Sequence, residues 1–133
     1  MRKPLKLPTT FGKFLDQLNE AGVETASARA FWGGVTPDGE IVVTSWTDSN
    51  DGNGCFYIWR PNTNHGGLRT AWEVGNIRPG AMVRLILLRQ RGNVSYGQNK
   101  RSVAGAALMP GKWRVAKMMP GHPKTGDALV EPV

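Results

Sequence analysis

One cysteine, Cys55, is too few for an internal disulfide framework and fits a reducing, cytoplasmic setting. Only two histidines, His65 and His122, accompany it, so a structural zinc site is not expected. Long apolar runs are missing. The longest, residues 85–88, is bounded by Arg84 and Arg89 and falls far short of the roughly 18 residues of a membrane span. Arg2, Lys3 and Lys6 have no apolar stretch behind them, which argues against a secretory leader. Acidic side chains are scarce in one part of the chain: residues 77–133 hold ten Lys/Arg and two Asp/Glu, whereas residues 1–76 hold seven and eight. The net charge of +7 is therefore concentrated in the second part. Such an uncompensated basic segment favours a polyanionic partner, nucleic acid above all. Neither a membrane partner nor a small-molecule cofactor is expected.

What the chain does contain is enough for one folded domain: 133 residues, 40% of them hydrophobic and 20% charged, a balance that speaks against wholesale disorder. Phe11, Phe14, Leu15 and Leu18 recur at helical spacing, with Thr9 or Thr10 as N-cap candidates and Gly22 as a stop. They predict a covering helix over residues 9–21. From residue 30 the pattern turns to short alternating segments, and strands are expected over 31–35, 40–46, 55–60, 82–89, 102–108 and 112–118. The first two flank Thr36-Pro37-Asp38-Gly39 and the last two flank Met109-Pro110-Gly111, each of which reads as a tight turn. Residues 82–89 are apolar on both faces apart from Arg84, the mark of a central strand. Residues 68–74 fit a short helix or turn. Residues 120–133 contain Gly, Pro and Lys without periodicity and are expected as a flexible tail. The predicted fold is mainly β (α+β) over residues 1–119: a small, partly closed β-barrel of about five or six strands with an N-terminal covering helix.

Catalytic constellations are thin. The polar loop 48–54 invites a calcium reading, but an EF-hand loop needs Gly sixth and Glu twelfth, where Asn53 and Trp59 stand. No P-loop, nucleophile elbow or His-Glu-x-x-His motif occurs, and the basic part lacks the gathered carboxylates of a metal-dependent nuclease. Enzyme is the weaker class. The aromatics are a better lead, although most of the five tryptophans are expected in the core. Tyr57 and Trp59 lie two apart on one strand face, with Arg60, Asn62, Asn64 and His65 close behind and Trp72 beyond. Rings stack on a base while amide and guanidinium groups bond its edge, so this set is a candidate base pocket. Residues 89–101 carry Arg89, Arg91, Lys100 and Arg101 with Tyr96 and no acid. Such a loop suits phosphate contact with a ring free to stack, and Arg114 and Lys117 extend the cationic set.

Several of these residues carry a resemblance. Ile58-Trp59-Arg60-Pro61, then His65-Gly66-Gly67-Leu68 and Trp72, then Ile77-Arg78-Pro79-Gly80-Ala81-Met82-Val83 and Leu87-Leu88-Arg89-Gln90-Arg91-Gly92, are similar to part of the PUA-like domains of the EVE type. Ser102-Val103-Ala104-Gly105-Ala106-Ala107 stands where that pattern has its glycine-containing strand. The resemblance spans roughly residues 55–110 and departs from the pattern at Ala81, where Asp is usual. It implies a small β-barrel that reads nucleic acid, related to readers of modified DNA bases attached to restriction nucleases and to RNA-binding modules. It also implies a flipped base held by Tyr57, Trp59 and Trp72.

The expected function is thus a non-enzymatic nucleic-acid-binding domain, DNA favoured over RNA, reading a modified or extruded base. It would act alone or with a protein partner such as an effector nuclease. Two alternatives stand beside it: a small phage- or plasmid-type inhibitor that docks on a nucleic-acid-handling complex, and a hydrolase using His65.

Overall fold

A computed structural model of the chain describes residues 7–91, 102–122 and 126–133. These form, in chain order, α1 (Phe14–Glu20), β1 (Gly33–Val35), β2 (Ile41–Trp46), β3 (Phe56–Ile58), a 3-10 turn (His65–Gly67), α2 (Leu68–Glu73), β4 (Met82–Gln90), β5 (Val103–Leu108), β6 (Trp113–His122) and β7 (Gly126–Pro132). The protein is mainly β. Its first helix is shorter than the expected 9–21, because Lys13 is still extended and offers no side-chain cap. The chain leaves α1 through Gly22, whose φ of +98° lets the Val23 amide reach back to the Leu18 carbonyl at 2.9 Å.

All seven strands described join one sheet, ordered β1-β2-β4-β6-β7-β3, with β5 on β4. β4 is the axis, as its two apolar faces predict. One edge runs parallel to β2, from Ile41 opposite Val83 to Trp46 opposite Leu88. Its other edge is shared: Ile86 to Gln90 pair with β5, while Met82 and Val83 pair with β6. The expected β5–β6 hairpin across Met109-Pro110-Gly111 does not form. Both strands run antiparallel to β4 along the same edge, and the Met109 amide still bonds the Leu85 carbonyl at 2.8 Å. Pro110, which has no amide to give a ladder, and Gly111, with φ +72°, instead make a corner at which β6 leaves β4 for β7.

The expected loose tail is also overturned. β6 runs to His122, and β7 inserts between β6 and β3 with Ala128, Leu129 and Val130 all buried. The sheet curls until β3 approaches the end of β2, where the Ser45 hydroxyl donates to the Tyr57 carbonyl (2.5 Å) and the Tyr57 amide to the Ser49 carbonyl (2.9 Å). These are single bonds, and no ladder joins the two ends. The sheet is open, and the barrel expected from the short-strand pattern is not what the described residues form.

Curling gives the sheet two cores. Val83, Leu85 and Leu87 of β4 point into the larger one, with Phe56, Trp113, Val130 and the α2 residues Leu68 and Ala71. Ile86 and Leu88 point the other way, onto Leu18 and Ala21 of α1 and onto Val42 and Trp46 of β2. Burial of both faces is what holds β4 at the centre.

Candidate nucleic-acid interface

An open cleft of about 660 Å³ lies where the segment leading into α1, the loop before β1 and the far ends of β4 and β5 converge. Three cations line it, Lys13, Arg29 and Arg91, together with the rings of Phe14, Phe31 and Trp32. No carboxylate is among its lining residues, and none of the three cations makes an ion pair with a described residue. The walls are therefore aromatic and positive.

Local sequence explains why the loop wall holds its shape. The Thr25 hydroxyl donates to the Ser27 carbonyl (2.7 Å) and accepts the Ser27 amide (3.2 Å), and the Ser27 hydroxyl accepts the Arg29 amide at 3.2 Å. The Phe31 amide then closes a turn on the Ala28 carbonyl at 3.1 Å. Inside that turn Ala30 has φ +62°, the one positive φ outside glycine among the described residues, and Thr63 holds its carbonyl at 3.2 Å. Backbone strain of this sort persists where the surroundings impose it, and it gathers at functional sites. Trp32 is anchored through its carbonyl by the Thr44 hydroxyl (2.9 Å) and leans on buried Trp46, ring centres 6.3 Å apart, while 37% of the residue stays exposed. On the floor, Gly105 stands where a Cβ would come within 2.9 Å of Phe11.

Of the side chains proposed from sequence, few meet here. Arg91 lines the cleft, its amide bonded to the Ser102 carbonyl at 2.8 Å. Arg89 borders it opposite Gly105, with its guanidinium 4.9 Å above the Phe11 ring. His65 is not on its lining but stacks on Phe31 (5.4 Å, 28°). Lys100, Arg101 and Tyr96 lie outside the described residues. The rest are dispersed. Arg114 gives both Nε (2.9 Å) and Nη2 (2.7 Å) to one oxygen of Glu131, so its charge is already answered, and Lys117 is exposed elsewhere on β6.

The suggested base pocket is not one place. Trp59 packs on the α1-side core and Trp72 on the opposite one, where the buried Trp72 Nε1 has no hydrogen-bond partner. Asn64 is occupied with Thr70, accepting its amide (2.9 Å) and donating to its hydroxyl (2.8 Å). The Asn62 backbone carbonyl accepts from Arg69 (2.7 Å), and the Arg60 backbone amide donates to the Asp127 carboxylate (2.7 Å). Tyr57 is half-buried in β3. These groups organise the chain around α2 and β7.

Lys13, Arg29, Phe31 and Trp32 were not singled out from the sequence. The signal for three of them was present in Arg29-Ala30-Phe31-Trp32, a cation beside two rings next to a Ser/Thr-rich turn. Nothing local announces that Lys13 and Arg91 stand beside them. Away from the cleft, Glu40 takes Lys112 at 3.0 Å and Arg84 at 3.6 Å. The Lys112 hydrogen bond holds the Glu40 carboxyl below the ordinary carboxylate range; partial burial opposes this, and the charges of Lys112 and Arg84 add to the lowering. Among the described residues no cluster of His, Cys, Asp and Glu is built to hold a metal ion, and no helix is long and apolar enough to cross a membrane.

Fold and site together define an open mixed-sheet domain with an aromatic, cationic cleft. Compared with protein-family models, curated proteins and solved structures, the chain matches none.

Proposed function

We propose that this domain binds nucleic acid without acting on it chemically, gripping phosphates at the cleft between α1, the β1 loop and the β4–β5 end. The observation that carries this reading is that Lys13, Arg29 and Arg91, none in an ion pair with a described residue, line one cleft with no carboxylate, beside exposed Trp32 and the half-buried rings of Phe14 and Phe31. Uncompensated positive charge along one cleft favours an anionic ligand, and a phosphate backbone is the polyanion such sites meet most often. Arg89 extends the patch along β4, and the resemblance to PUA-like nucleic-acid readers points the same way.

The test is fluorescence anisotropy against labelled single- and double-stranded DNA and RNA, at about 50 and 200 mM salt. Micromolar or tighter binding that weakens with salt is expected for at least one probe. Failure to bind any of the four at the lower salt would overturn the reading.

A further inference from the structure

The structure supports a narrower claim about what enters the cleft, one that rests on the nucleic-acid reading above. We propose that it takes a single unpaired nucleotide, the base against Trp32 and Phe31 and the phosphate among Lys13, Arg29 and Arg91, so that the protein prefers an unpaired strand to a duplex.

Three observations converge on this. The first is the lining chemistry. A protein that only tracks the backbone of a duplex needs cations, because paired and stacked bases present their edges and not their faces. Rings beside the cations are of use only to a base whose face is free, and the stacking is indifferent to which base it is. The second is size and shape. The cleft is open, and its volume, about 660 Å³, lies within the range of sites for single small ligands. The third is preorganisation. Trp32 stays 37% exposed although a large ring gains by burial, and the backbone beside it is held at a positive φ by the Thr63 and Ser27 hydrogen bonds. A ring held half in water by a strained turn is positioned for something to cover it.

The same chemistry is offered by a free nucleoside monophosphate and by one unit of a strand, so the experiment includes both. Binding is measured by anisotropy and by tryptophan fluorescence for a single-stranded 12-mer, the matching duplex, and the four nucleoside monophosphates. The native protein is compared with Trp32→Ala and Arg29→Gln, each first shown by thermal melting to be folded. At least a fivefold preference for the single strand is expected, falling at least fivefold in Trp32→Ala, with quenching of tryptophan emission in the native protein. Arg29→Gln, which leaves the rings untouched, weakens single-strand binding while keeping the quench at saturation. Monophosphate binding as tight as that of the 12-mer would assign the cleft to the free nucleotide; much weaker binding would assign it to a strand. Duplex bound as well as single strand, or a preference unchanged in Trp32→Ala, would overturn the inference while leaving nucleic-acid binding standing. Silence from every probe would instead remove the reading on which it rests.

Discussion

Ala30 is the residue at which local preference and tertiary demand are most opposed. An alanine at positive φ costs about 1–2 kcal/mol, and glycine would recover that at the expense of about 0.5–1 kcal/mol of chain entropy. Ala30→Gly is therefore expected to raise stability by up to about 1 kcal/mol, seen as a melting temperature higher by about 4 °C. A lower melting temperature would show that the strain has been misjudged. Glu40 makes a second prediction at this scale. Its folded-state carboxyl titrates below the ordinary value of 4.5, first because of the Lys112 hydrogen bond, so its contribution is complete above that value. As pH falls through the lower, folded-state value the contribution disappears. Acid titration of stability should thus be shallower in Glu40→Gln than in the native chain, with the two converging at the acid end. The difference is modest because Lys112 is half in water.

At the scale of elements, the corner at Pro110-Gly111 and the strand β7 are where chain pattern and sheet differ. A Pro-Gly pair between two alternating segments has the chemistry of a hairpin turn. Here the second segment continues along the same edge of β4, so the pair serves as a break in one long run. β7 was illegible for a different reason. Its core residues, Ala128, Leu129 and Val130, form a short apolar run with no alternation, behind a stretch rich in Gly and Pro, and only the unfilled space between β6 and β3 makes them a strand. Truncation after residue 125 is expected to remove the cooperative thermal transition, since it strips both neighbours of a ladder and deletes three buried apolar side chains with buried Glu131. Survival of a sharp melt would return residues 126–133 to the status of a tail.

For the whole molecule, the division into a neutral first part and a basic second part does not survive folding as a division in space. Parallel pairing of β2 with β4, and of β3 with β7 in the antiparallel sense, interleaves the two. Arg84 and Lys112 are thereby answered by Glu40 from the other part of the chain, whereas Arg114 is answered within its own part by Glu131. The cations left to face an outside anion at the cleft come from both parts: Lys13 and Arg29 from the first, Arg91 from the second. The number of phosphates they neutralise sets the size of the salt effect in the binding experiment. Each phosphate neutralised on a single strand contributes about 0.7 to the slope of log affinity against log salt, and the three cations share one phosphate, so the triple variant Lys13→Gln/Arg29→Gln/Arg91→Gln should be shallower by about 0.7. An unchanged slope would place the phosphate contacts elsewhere.

By itself the sequence determined the β-rich class, the central place of β4, the β1–β2 hairpin across residues 36–39 and the short helix near residue 68, because each rests on contacts close along the chain or on a pattern that burial of one strand imposes. It also determined the excess of positive charge. Tertiary structure alone decided that the sheet stays open, that residues 126–132 form a strand between β6 and β3, and that Trp59 and Trp72 belong to opposite cores. It alone brought Lys13 and Arg29 to Arg91. Residues separated by dozens of positions meet only through the path of the sheet, and that path follows from filling two cores at once, a condition no local window contains.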